Sequence, residues 1–105
     1  MDNDVSHAWL RSLIETAVGP GIVRILLVGS RAKGTAKEGS DWDVLVIDQG
    51  TKSIWPIGPW RQDDKLMAPD GNPIEYFKMP PSDLADPRAA KDRFIQDALK
   101  YGIDI

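Results

Sequence analysis

Apolar residues recur at helical spacing near the start of the chain: Trp9 and Leu10, Leu13 and Ile14, then Ala17 and Val18. The stripe predicts a helix from Val5 to Val18, capped by Asp4 or Ser6 and ended by Gly19-Pro20-Gly21. From Ile22 to Val28 the helical period vanishes. Branched and leucine side chains follow one another with only Arg24 charged, which predicts a strand covered on both faces. Ser30 to Lys37 holds one short helical turn and then a loop, because Gly34 and Gly39 break anything longer. A second strand without polar alternation follows from Trp42 to Ile47.

Between Asp48 and Pro69 no period persists, and the pattern predicts a meandering loop leading into a hairpin that turns at Pro69-Asp70-Gly71-Asn72. Pro73 to Met79 reads as the third strand, with Ile74 and Tyr76 on one face and Glu75 and Phe77 on the other. Pro80-Pro81 stops it. Asp86-Pro87 then predicts a helix start, and the series Ala90, Phe94, Ala98 and Tyr101 runs down one face, flanked by Ile95 and Leu99. Gly102 ends that helix, and Ile103-Asp104-Ile105 fits a short edge strand. With no repeat or linker, one α/β layered domain over residues 1–105 is the reading.

Composition narrows the chemistry. A hydrophobic content of 42% and a charged content of 28% suit a globular protein, and a net charge of −3 argues against bulk electrostatic binding to nucleic acid or anionic lipid. No cysteine is present, which excludes disulfides and thiolate metal sites, and the lone His7 excludes a histidine-built zinc site. Neither a secretory signal nor a membrane-length apolar run is visible, so a cytoplasmic location is expected.

Residues 29 to 47, GSRAKGTAKEGSDWDVLVI, carry the candidate chemistry. Gly29-Ser30 closes one strand with backbone N–H groups and a hydroxyl facing outward, which suits a phosphate; a plain turn capped by Ser30 explains the pair equally simply. Gly29 and Gly34 have Walker A spacing, but Thr35 stands where the lysine belongs, so a P-loop is rejected. Asp41 and Asp43 point to one face of a strand start, about 6.5–7 Å apart at Cα, close enough to share a Mg²⁺. The alternative is a turn followed by a solvated charge. Glu75 is either an outward-facing edge residue or, if its strand lies beside Trp42–Ile47, the third member of a carboxylate cluster. Three such acids suit two metals about 3.5–4 Å apart in an in-line phosphoryl displacement. Arg31 and Lys33 add local positive charge able to meet triphosphate oxygens. Among the four tryptophans, Trp9 and Trp42 read as core, and Trp55 and Trp60 either anchor the Pro/Gly loop, the favoured reading, or stack on a base or dock on a partner. Asp63-Asp64 reads as a solvated turn.

Gly29-Ser30, ten residues, then Asp41-x-Asp43 resembles the signature of the nucleotidyltransferase superfamily typified by DNA polymerase beta. The local wording is most similar to the minimal nucleotidyltransferases of bacteria and archaea, often paired with HEPN-domain proteins in toxin–antitoxin modules. The close match spans residues 29–47, and the order of elements extends it loosely over the chain. The resemblance implies a mixed β-sheet flanked by helices and two Mg²⁺ ions held by Asp41, Asp43 and Glu75. It also implies an NTP, ATP foremost, bound through Gly29, Ser30, Arg31 and Lys33, with NMP passed to a hydroxyl and pyrophosphate lost. Lys33 stands where the family often has arginine, keeping charge but losing bidentate geometry. Larger members carry additional domains for the acceptor. The expected acceptor here is therefore a partner such as a HEPN toxin, with an antitoxin that acts by docking as the alternative. A second copy of the chain is a further candidate partner.

Overall fold

The computed structural model describes residues 7–105, the side chain of Asp63 excepted. The proposed caps Asp4 and Ser6 lie outside the described residues. Helix α1 covers Ala8–Val18 and ends where the Gly19 N–H donates to the Glu15 carbonyl, 3.0 Å. Strand β1 (Ile22–Val28) follows, then a five-residue helix α2 (Gly29–Lys33), strand β2 (Trp42–Asp48), strand β3 (Trp60–Met67) and strand β4 (Pro73–Met79). Two 3-10 turns at Pro81–Ala85 and Ala89–Lys91 lead into helix α3 (Arg93–Tyr101) and strand β5 (Ile103–Asp104).

The strands form one mixed sheet in the order β3-β4-β2-β1-β5. β2 is parallel to β4, and every other neighbouring pair is antiparallel. A mixed sheet flanked by helices is the expected nucleotidyltransferase layout. β1 and β2 lie inside the sheet, which explains their nearly unbroken apolar sequences: alternate side chains enter two cores, one on each face. Leu10 and Ile14 of α1 pack on Leu27, Val44, Val46 and Ile74. On the other face, Ile95 and Ala98 of α3 pack on Leu26, Leu45, Ile47 and Met79. Leu45 has no solvent exposure, so Leu45→Ala is expected to cost about 2–5 kcal/mol in a denaturant melt.

Three readings from the sequence need correction. β3 lies within the stretch expected to meander. It forms an outer strand of the sheet, with no neighbouring strand on one side, and carries the polar residues Arg61, Gln62, Asp64 and Lys65. A register shift between Gln62 and Leu66, with Lys65 at φ 54°, destroys the alternation that would have announced a strand. Consequently Asp63 and Asp64 are strand residues, not a turn, and the Asp64 carboxylate accepts a hydrogen bond from the Tyr76 hydroxyl. Burial, then that carboxylate, holds the Tyr76 hydroxyl well above its ordinary titration range.

The last helix also starts later than Asp86-Pro87 predicts. Asp86 accepts instead from the Arg88 N–H, 2.8 Å, and the working cap is Asp92, whose Oδ1 accepts from the Ile95 N–H at 2.9 Å. An acceptor side chain at Asp92 offers the backbone an alternative to continuing the preceding turn. The hairpin turn falls where expected, with Asp70 Oδ1 accepting from the Asn72 N–H at 2.9 Å. Trp55 is half-buried against the second core with Arg88 over its ring, an anchor as expected, whereas Trp60 opens β3 and is 38% exposed. Among the described residues no helix is long and apolar enough to cross a membrane.

Candidate active site

The register of three strands lines up the candidate acids. In β1 and β2, Val28 is paired with Asp43; in β2 and β4, Asp43 is paired with Glu75. The alternation that sends Leu45 and Met79 into the α3-side core puts Asp43 and Glu75 on that same face, at the end of the sheet where the core stops. Asp41 lies two residues before Asp43 in the segment entering β2 and is half-buried, as is Asp43. The condition set for Glu75, a strand directly beside β2, is therefore met.

Immediately past Val28 the chain bends at Gly29, with φ +71°. A Cβ built there would lie 2.9 Å from Asp43 Oδ2, so the residue's missing side chain is what lets the bend sit against the carboxylate. The five residues of α2 then turn back over the sheet and end at Gly34, in the left-handed conformation.

The electrostatics of the row are unbalanced. Burial raises the Asp43 pKa above the ordinary aspartate value, and the negative charges of Glu75 and Asp41 raise it further. Glu75 itself is met by Arg61 from β3, whose Nη2 donates to Oε1 at 2.8 Å. Arg61 pairs with Phe77 across β3 and β4, two residues along from Glu75, so the contact is a diagonal neighbour on one face. Among the described residues no group of three acidic or imidazole side chains is gathered tightly enough to hold a metal ion. The donor set nevertheless suits a hard divalent cation: oxygen ligands, partial burial and mutual repulsion that a cation would offset. Asp41, Asp43 and Glu75 are the residues that would hold it.

The basic candidates have protein partners. Arg31 donates from Nη2 to the Ser40 carbonyl at 2.7 Å and to Asp70 Oδ2 at 3.3 Å, and its guanidinium lies 4.1 Å from the centroid of Trp42. Trp42 Nε1 donates to the same Asp70 oxygen at 3.0 Å, and its ring meets Trp9 edge-on. Asp70 thus joins the β3–β4 turn to the entrance of β2. The Asn72 amide above all, then Trp42 and Arg31, keep the Asp70 carboxyl below the usual aspartate range. Lys33 forms an ion pair with Asp97 of α3 at 3.0 Å. Arg24, the one charge in β1, is bonded elsewhere, to Asp104 across β1 and β5. Two residues escape a reading of the sequence: Arg61, on Glu75 but inside the stretch without a period, and Asp70, on Arg31 and Trp42 but reading only as a turn former. The RQDD run carried no signal for Arg61, because its relation to Glu75 exists only through the pairing of β3 with β4.

A family model described as a nucleotidyltransferase domain matches residues 9–104, nearly the whole chain. Comparison with curated proteins gives no match. The match spans the bend at Gly29, the aspartate pair on β2 and the acid on β4 alike, and the chain belongs to the nucleotidyltransferase domain family.

Proposed function

We propose that this chain is a Mg²⁺-dependent nucleotidyltransferase that transfers NMP from an NTP, ATP foremost, to a hydroxyl on a partner protein. The acceptor oxygen attacks the α-phosphorus, the bond to the bridging oxygen breaks, and pyrophosphate leaves. The observation that carries the reading is the row formed by Asp43 and Glu75 in direct register, with the Gly29 bend against the Asp43 carboxylate. Asp41, Asp43 and Glu75 are the proposed cation ligands, and a divalent cation there would supply positive charge against the triphosphate and the leaving pyrophosphate. Gly29 and Ser30 would border the triphosphate. Lys33, 37% exposed and paired only at the surface, can exchange Asp97 for a phosphate oxygen; Arg31, 18% exposed, has the weaker claim because it braces Ser40, Asp70 and Trp42.

A protein acceptor is supported by exposed apolar side chains in and beside β3. Ile57, Trp60 and Met67 lie in or just before β3, the strand that also carries Arg61. A HEPN-domain toxin is the proposed partner, with this chain as antitoxin. The Arg61–Glu75 ion pair favours a second reading, a nucleotide-binding antitoxin that acts by docking without catalysis.

One experiment separates them: labelled ATP, Mg²⁺ and the product of the adjacent gene are incubated with wild type or Asp41→Ala. Catalysis requires label on the partner with wild type and at least about a hundredfold less with the variant, the size of a lost cation ligand worth several kcal/mol. Equal labelling by both sinks the catalytic reading. Full neutralisation of the partner by an Asp41→Ala chain that transfers nothing establishes the docking one.

A further inference from the structure

The guanidinium of Arg61 sits on one oxygen of Glu75, while Asp43, opposite Glu75 in the sheet, bears the repulsion of Glu75 and Asp41 and has no comparable basic partner among the described residues. One acid of the three is thus satisfied by the protein and the others are not. Arg61 is also placed to let go. It lies on an outer strand beside a register shift, its side chain is 65% exposed, and Glu75 is 31% exposed. An ion pair this wet is weak and easily exchanged. A guanidinium prefers a phosphate at least as well as a carboxylate, because either offers two oxygens to its fork.

We infer that Arg61 is a positioning residue that occupies Glu75 in the nucleotide-free protein and moves to the triphosphate when the nucleotide arrives. The inference rests on the nucleotidyl-transfer reading above. It makes assembly of the three-acid site conditional on substrate: without nucleotide, a divalent cation meets Asp41 and Asp43 but must displace an arginine to gain Glu75. With nucleotide, the phosphates offer Arg61 another partner and Glu75 turns to the cation. The gain is a site that does not fill with cations in the absence of substrate.

The test is a Mn²⁺ titration read by electron paramagnetic resonance. It uses wild type, Arg61→Ala, Arg61→Lys and Asp43→Ala, each with and without the β,γ-imido analogue of ATP. Without nucleotide, Arg61→Ala is expected to bind Mn²⁺ about 2–5-fold tighter than wild type, the range an exposed ion pair can supply, and Arg61→Lys is expected to restore the wild-type value. With the analogue present, the advantage of Arg61→Ala should vanish or reverse, since it has lost a phosphate partner. A residue that merely stabilised β3 would loosen Mn²⁺ binding when removed, so the sign decides. Unchanged or weaker nucleotide-free binding by Arg61→Ala overturns the inference while leaving the cation site intact. If Asp43→Ala binds Mn²⁺ as tightly as wild type, the cation site itself is wrong and the role of Arg61 goes with it.

Discussion

Asp43→Asn is expected to melt a few degrees above the wild-type chain when divalent cations are absent, and to lose nucleotidyl transfer almost completely. Burial, then Glu75 and Asp41, raise the pKa of Asp43 in the folded chain. The folded state therefore holds this proton more tightly than the unfolded state, and stability falls as pH climbs from the ordinary aspartate value of 3.8 through the raised one. Above the raised value the whole penalty is present, and an asparagine of nearly the same shape removes it. Below 3.8 both chains are neutral at this position and the two melting temperatures should converge. Added Mg²⁺ should reverse the order at neutral pH, because only the carboxylate gains a ligand that binds the native state. The loss of transfer follows from the same removal of charge, at least about a hundredfold if the cation supplies several kcal/mol. Thermal melts across pH, with and without Mg²⁺, check the first half, and labelled-nucleotide transfer checks the second. A wild-type chain more stable than Asp43→Asn in chelator at neutral pH would contradict this electrostatic picture.

The second large effect belongs to Gly29→Ala. At φ +71° an L side chain is strained by roughly 1–2 kcal/mol. The new Cβ would also stand 2.9 Å from Asp43 Oδ2, so the carboxylate must rotate. Because that oxygen is the end of a flexible side chain, the fold absorbs the clash, and the cost falls on the placement of the acid. A misplacement of about 1 Å can cost on the order of a hundredfold in rate, so activity should fall far more than stability. Gly34→Ala is the matched control: its φ is +75°, but nothing lies within 4 Å of the added carbon. Both variants should lose similar stability in a melt, whereas only Gly29→Ala should lose most of its transfer. Equal activities would mean that the bend does not position Asp43.

Interior strands and the short edge strand β5 announced themselves, whereas the edge strand β3 did not. β1 and β4 have the bounds their apolar content predicts, and β2 runs one residue further, because a strand packed on both faces must be apolar throughout. The pairing of Asp41 with Asp43 could be read from their spacing alone. That Glu75 joins them depends on which strands are neighbours, which residue patterns do not state; the family resemblance supplied that order. β3 was illegible because it carries charges on an open edge and a bulge in its middle, so nothing in its sequence alternates. Arg61 was hidden for the same reason. Likewise the start of α3 shifted from Asp86 to Asp92 because two aspartates offered equivalent capping chemistry, and only the packing of Ile95 and Ala98 beneath the helix chose between them.

The most direct measurement is the anomalous scattering of Mn²⁺ in crystals of the chain grown with the β,γ-imido analogue of ATP. The expected result is manganese bonded to Asp41, Asp43 and Glu75, with triphosphate oxygens beside Gly29 and Arg61 drawn off Glu75. Manganese bound elsewhere, with Arg61 still on Glu75 and no nucleotide at the bend, would contradict the account.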